Sequence, residues 1–212
     1  MENENEQTVR PKRMKTPKNM GEKQQKQQTK TAENQPLGAQ ENQNVAPVQV
    51  EKPQHSKKKV KITFLGGVGE IGKNMTAIEY GDEMIVVDAG LTFPGDDLPG
   101  VDLVVPDISY LVANKSKIKA IVLTHGHEDH IGGLPYVLNE INAPLYGSRL
   151  TLGLVENKMK EFPKIKYKAV SVKPRNVLKL GNMSVEFIKV SHSIAGSMAL
   201  CVNTPVGNII HT

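Results

Sequence analysis

The chain has 212 residues, with 27 Lys and Arg against 22 Asp and Glu. No run approaches the ~20 apolar residues that a membrane span needs, and the N-terminus, acidic at Glu2, Glu4 and Glu6, has neither the apolar core of a secretory signal nor the Arg-rich character of a transit peptide. Its one cysteine, Cys201, rules out an internal disulfide framework and is expected to be a buried, inert thiol in SMALCVN, so the composition fits a cytoplasmic protein without membrane contact.

Charge and apolarity divide the chain near residue 60. Residues 1–59 contain no Phe, Tyr or Trp and hold 12 Lys/Arg against 7 Asp/Glu, while residues 60–212 hold 15 of each, so the basic character belongs to the N-terminal stretch. A Gln- and Lys-rich segment such as EKQQKQQTKTAENQ offers too little apolar surface to offset the entropy of ordering it. Residues 1–59 are therefore expected to be a disordered basic extension, and residues 60–212 a folded unit. VRPKRMKTPK and HSKKK can hold nucleic acid through phosphate contacts; the plainer alternative, which we favour for this stretch on its own, is a solubilising extension.

In the folded unit the apolar runs are short, β-branched and punctuated. Strands are expected over 60–65, 75–80 and 84–87, with 66–72 and 81–82 as connections, and a short strand over 101–106. Asp107 is placed to cap a helix over 108–113, followed by a buried strand over 120–123. A helical pattern covers 134–141 and a short strand 144–146. Ser148 is expected to cap a longer helix with Leu150, Leu154, Val155 and Met159 on one face. Strands then follow over 168–172, 177–180, 184–190, 197–203 and 209–211. Strands first, then strands alternating with helices, predict a mixed α/β arrangement with helices on outer faces.

Three of the six histidines fall between Thr124 and Gly133, in THGHEDHIGG. Imidazole and carboxylate are zinc ligands. His125 and His127, two residues apart in an extended loop, can point the same way and grip one ion. Asp129 and His130 lie one turn further and can face a second. Gly126, Gly132 and Gly133 allow the backbone to fold tightly, and a helix from Ile131 would aim its N-terminal N–H groups at the same pocket. Three histidines and an aspartate in six positions make an incidental surface loop a poor explanation. His192, in FIKVSHSIAG, follows a predicted strand and is the natural further ligand. His211 is a candidate ligand or supporting group, and His55, in the extension, is not expected to take part.

THGHEDHIGG after a strand, with VVDAG at 86–90, resembles the signature of the metallo-β-lactamase superfamily. FLGGVGEIGKN at 64–74, DAGLTFPGDDLPGVDLVVPD at 88–107, LTHGHEDHIGGLPYVL at 123–138, VSHSI at 190–194 and TPVGNIIHT at 204–212 resemble ribonuclease J, the bacterial β-CASP nuclease family. That resemblance implies a four-layer αββα sandwich, of which this chain would hold the N-terminal part, without the inserted β-CASP domain and the further C-terminal domain. It implies RNA hydrolysis, 5′→3′ exonucleolytic with a preference for 5′-monophosphate ends and also endonucleolytic. By position, His125, His127 and His192 would bind one zinc and Asp129 and His130 the other, with Asp129 and His130 also catalytic and Asp88 orienting a histidine ligand from behind.

The family follows His-Thr with Gly-Asp, whose aspartate bridges the metals; this chain stops at Thr212, so it is expected to be a fragment that is not an efficient enzyme. The family's Ser-Ile-Pro-Asp-Ser is here Ser193-Ile194-Ala195-Gly196-Ser197, which removes an acidic group while the matched ligands remain. The resemblance also implies a structural calcium site at Gly100 and Asp102, although PGVD serves equally as a turn. In the Gly-rich loop over 66–73, Lys73 is a candidate contact to RNA phosphates; a tight strand connection explains the loop as well. Expected partners are RNA and, for the full-length protein, a second copy or a paralogue. Two rival readings stay open: a small-molecule hydrolase of thioesterase or lactonase type on the same metals, and a weakly active subunit that tethers RNA.

Overall fold

The computed structural model describes residues 59–96 and 98–212. His55 and all but the last residue of the N-terminal extension lie outside the described residues.

The chain begins as an antiparallel meander, β1 (Val60–Gly66), β2 (Met75–Tyr80) and β3 (Glu83–Val87). The two-residue turn between β2 and β3 needs Gly81 at φ 63°, a conformation that costs glycine little. Three crossovers then add parallel strands. Helix α1 (Ser109–Ala113) leads to β4 (Ile118–Val122), the turn α2 (Glu128–Ile131) with α3 (Leu134–Glu140) to β5 (Leu145–Gly147), and α4 (Arg149–Met159) to β6 (Ala169–Ser171). The result is a mixed six-stranded sheet in the order β1-β2-β3-β4-β5-β6. Four antiparallel strands, β7 (Val177–Leu180), β8 (Met183–Lys189), β9 (Met198–Thr204) and β10 (Gly207–His211), form a second sheet in the order β10-β9-β8-β7.

The first sheet is covered on both faces, which is why β3 and β4 read as continuous apolar runs rather than alternations. On one face Met84, Val86, Ile121 and Leu123 pack with Leu111, Leu134, Val137 and Val155 from the helices. On the other, Ile85, Val87, Ala120 and Val122 pack against Val185, Phe187, Leu200 and Val202 of the second sheet. Fully buried Phe187 contributes about 2–3 kcal/mol to that inter-sheet core. Among the described residues the layers run helix, sheet, sheet; the outer face of the second sheet exposes Val177, Ile188 and Ile210. The helix, sheet, sheet order accords with three layers of the αββα sandwich that the resemblance implies.

Four local expectations change. The stretch 101–106 is no strand: a single bridge joins Thr92 and Val104. Asp107 does not occupy the capping position, which Ile108 holds; its carboxylate instead accepts from the Ser109 N–H at 2.8 Å and the Ser109 hydroxyl at 2.6 Å, an Asx turn that starts the helix one residue later. Ser148 does cap α4, accepting from the Thr151 N–H at 3.2 Å. The buried face of α4 is Thr151, Val155 and Met159, while Leu150 and Leu154 are exposed. Finally, the helical turn after the histidine cluster starts at Glu128, so Asp129 and His130 lie on it rather than ahead of it.

Candidate metal centre

The site forms where β3 and β4 end side by side. Beyond Val87 the chain turns sharply, with Asp88 at φ 59°, a left-handed conformation disfavoured by roughly 1–2 kcal/mol for a residue with a Cβ. The Asp88 N–H bonds to the Val122 carbonyl at 2.9 Å, that of Ala89 to His130 at 2.8 Å and that of Gly90 to Asn74 at 3.0 Å. This stitching brings the DAG segment against the HGHEDH segment so closely that a Cβ on Gly90 would lie 1.7 Å from the Asp129 carbonyl oxygen. His127 occupies the N-cap of α2 in extended conformation, and its carbonyl receives the N–H groups of His130 at 2.9 Å and Ile131 at 3.0 Å.

Asp88 organises the histidines from beneath. Almost wholly buried, its carboxylate accepts from the Thr124 N–H at 2.8 Å, the Thr124 hydroxyl at 2.7 Å and His130 Nδ1 at 2.8 Å. With its proton given to Asp88, the Thr124 hydroxyl receives His125 Nδ1–H at 3.0 Å. These hydrogen bonds assign both tautomers and leave the Nε2 lone pairs of His125 and His130 facing the cleft. Such support fixes ring orientation and raises ligand basicity.

His125, His127 and His192 each offer a ring nitrogen, and these atoms all lie within 4.8 Å of one another. His125 Nε2 is 3.1 Å from His127 Nδ1, and the His125 and His192 rings sit edge to face at 4.5 Å. Beside this trio, His130 Nε2 is 3.5 Å from Asp129 Oδ2, and the His130 ring centroid is 4.0 Å from that of His125. Three imidazoles and an adjacent imidazole–carboxylate pair bring together donors of the kinds that divalent ions take. The cleft above them, about 330 Å³, is also lined by Ser191, Ser197 and His211.

The electrostatics differ from ring to ring. Burial, followed by repulsion from the His130 ring, pushes the His125 imidazole down to about 4, so it is neutral, as a metal ligand must be. Burial alone would lower His130 too, but the hydrogen bond and charge of Asp88 outweigh it and raise its pKa. His211 is lowered, chiefly by burial.

The remaining candidates lie apart from the trio. The Lys73 ammonium is paired with Glu70 at 2.9 Å across the Gly-rich loop. Gly100, at φ 82°, and Asp102 lie on an exposed turn. Among the described residues the one group of three or more side chains placed to share an ion is His125, His127 and His192. Sequence reasoning assigned no role to Thr124, Gly90 or Asn74. Gly90 and Thr124 lay within quoted motifs, and Asn74 ends GKN beside the lysine that drew attention.

Residues 68–202 match the profile of the Metallo-beta-lactamase superfamily. The chain belongs to that superfamily. Within it, the chain is 47% identical over 156 residues to Ribonuclease J 2 of Staphylococcus epidermidis (strain RP62A) and 45% identical over 158 residues to Ribonuclease J 2 of Staphylococcus aureus (strain NCTC 8325). In both cases the match covers 73% of this chain and 28% of the relative, so the chain spans little more than a quarter of their length. Among solved structures, a protein of unknown function from Enterococcus faecalis V583 superposes with a TM-score of 0.54 at 23% identity, covering 72% of this chain and 42% of that one. A diphosphatase of the PhnP family superposes at 0.50 with 19% identity, covering 68% and 63%. These structural likenesses carry the fold alone. Among the described residues, no helix is long and apolar enough to cross a membrane.

Proposed function

We propose that residues 60–212 are the metal-binding part of a zinc-dependent RNA phosphodiester hydrolase of the ribonuclease J type, acting 5′→3′ on 5′-monophosphorylated ends and also endonucleolytically. The convergence of His125, His127 and His192 beside Asp129 and His130 carries this reading. The identity to Ribonuclease J 2 proteins favours RNA over the thioester and lactone substrates that the same donors could serve.

Two zinc ions, one held by His125, His127 and His192 and the other by Asp129 and His130, would supply Lewis acidity toward a phosphate and lower the pKa of the attacking water. The chain's own groups do the rest. Asp88 and Thr124 hold His125 and His130 as the tautomers that present Nε2. The Asp129 carboxylate is placed to accept the proton of the attacking water. Ser191 and His211 border the cleft where the phosphate would sit, and the Ser193 hydroxyl lies 3.5 Å from His127 Nε2. Lys73 can reach an RNA phosphate once it leaves Glu70. Gly100 and Asp102 are proposed calcium ligands, by resemblance alone. The basic stretch before residue 60 is proposed to add salt-sensitive RNA affinity, and assembly with a second copy or a paralogue to belong to the full-length protein.

In the full-length protein, His127→Ala should lower cleavage of a 5′-monophosphorylated RNA more than 100-fold, in keeping with loss of a metal ligand where even supporting residues are worth 10–100-fold. Bound zinc should fall with it. Undiminished cleavage overturns the proposal, and turnover of thioesters in preference to RNA replaces it with the small-molecule reading.

A further inference from the structure

The Asn74 side chain reaches into the metal centre from the far end of the Gly-rich loop. Its Nδ2 lies 3.1 Å from the Asp129 carbonyl oxygen, 3.0 Å from Asp129 Oδ2 and 3.1 Å from His130 Nε2. The two Asp129 oxygens are acceptors, and so is His130 Nε2 in the neutral tautomer whose Nδ1–H donates to Asp88. That surrounding fixes the amide with its NH2 inward. Its oxygen faces Gly67, where a Cβ would stand 2.5 Å away, so a side chain there would drive the amide out of place. The backbone reinforces the placement: the Asn74 N–H donates to the same Asp129 carbonyl at 3.0 Å, and its carbonyl receives the Gly90 N–H at 3.0 Å.

We propose that Asn74 is a positioning residue for the Asp129–His130 half of the metal centre. Its amide holds the Asp129 Oδ2 that lies 3.5 Å from His130 Nε2, limiting rotation of both side chains about the place where a second ion would bind. Asp129 needs this restraint: its side chain is 40% exposed, whereas the His130 ring is held by Asp88 and the His125 ring by Thr124. An ion binding to His130 Nε2 would displace the amide from that atom. Without Asn74, water would occupy the same lone pair, so the exchange is close to neutral. The lost orientation of Asp129 is not replaced, and supporting residues of this kind are worth 10–100-fold in metal affinity.

The inference rests on the two-ion reading, and the test separates the two. In the full-length protein, zinc is titrated against a chelator of known affinity for wild type, Asn74→Ala and the near-isosteric Asn74→Leu. Occupancies at the two positions are then read from anomalous scattering at the zinc edge in crystals of each. The expected result is a 10–100-fold weaker second zinc, with occupancy lost at Asp129 and His130 and kept at His125, His127 and His192. Equal weakening of both ions would show a general structural role and overturn the assignment, as would a change below about 3-fold in both variants. Should Ala fail to fold, the Leu variant carries the measurement. A wild type that binds no second zinc would instead remove the two-ion reading itself.

Discussion

Two polar clusters sit at opposite ends of the same strands and are built on opposite principles. At the end where β2 leaves and β3 enters, buried Glu79 accepts from the Tyr110 hydroxyl and pairs with Lys117 at 3.2 Å and Lys61 at 3.6 Å, and Lys61 also donates to Tyr110 at 2.6 Å. One carboxylate meets two ammonium groups and a phenol, so its charge and lone pairs are fully partnered within the network. At the other end, four imidazoles face one another with ring centroids 4.0–4.9 Å apart, and several lone pairs point into a shared cleft. Ring nitrogens gathered in this way are donors that a cation would take, in keeping with the proposed metal site. The contrast sets a self-paired ionic cluster against one whose ring nitrogens converge on a cleft, although both contain groups with shifted titration.

The sharpest way to break the contrast is to remove the packing that lets the metal end close. Gly90→Val places side-chain atoms where the Asp129 carbonyl stands, 1.7 Å from an ideal Cβ. Overpacking against backbone costs about 3 kcal/mol or more, so chemical denaturation should show a protein barely folded, or folded with Asp129 expelled and zinc lost. Next comes Asp88→Ala, which strands the buried Thr124 N–H and the His130 ring N–H. A loss of about 3 kcal/mol is expected from removing a buried charged partner, together with a 10–100-fold drop in zinc affinity, read by denaturation midpoint and chelator competition. If stability fell while zinc affinity stayed, Asp88 would support the fold rather than the proposed metal site.

The smallest effect is predicted at the other end. Burial would raise the Glu79 pKa, but the Tyr110 hydroxyl and the Lys117 and Lys61 charges outweigh it and hold the carboxyl below its ordinary 4.5. A carboxyl depressed in the folded state stabilises the fold above its unfolded pKa, and that contribution disappears as pH falls through the folded value. Glu79→Gln should therefore cost about 1 kcal/mol at pH 7, and the difference from wild type should shrink below pH 4.5 and then close. Zinc affinity should not change. A pH-independent difference would mean that Glu79 acts through packing, and a change in zinc affinity would mean the two ends are coupled.

What could be read from the sequence follows the range over which each feature is decided. The cluster from His125 to His130 was legible because its ligands share one strand end and one turn, so spacing alone restricts their geometry. The strands were legible because β-branched apolar runs between glycines have few other uses. The buried face of α4 was not, since the exposed Leu150 and Leu154 looked as apolar as the residues that went inward; which side of the helix meets the sheet depends on β5 and β6. Nor could the role of Asn74 be read, because its partner lies 55 residues away and GKN contains nothing that announces a neighbour of Asp129. The stretch 101–106 misled for the opposite reason: its β-branched run had strand propensity but found a single bridging partner.

The left-handed Asp88 has a consequence for the order in which this chain assembles. Its conformation is unfavourable by itself and is held by bonds to Thr124 and His130, across 36 and 42 residues of chain. A turn of that kind has no local reason to persist, and contacts so distant must first meet the entropy of closing long loops. The strand cores can form ahead of it, while the histidine corner waits for β4 and α2 to dock. In unfolding the sequence reverses, and the histidines should lose their alignment before the sheet loses its hydrogen bonds.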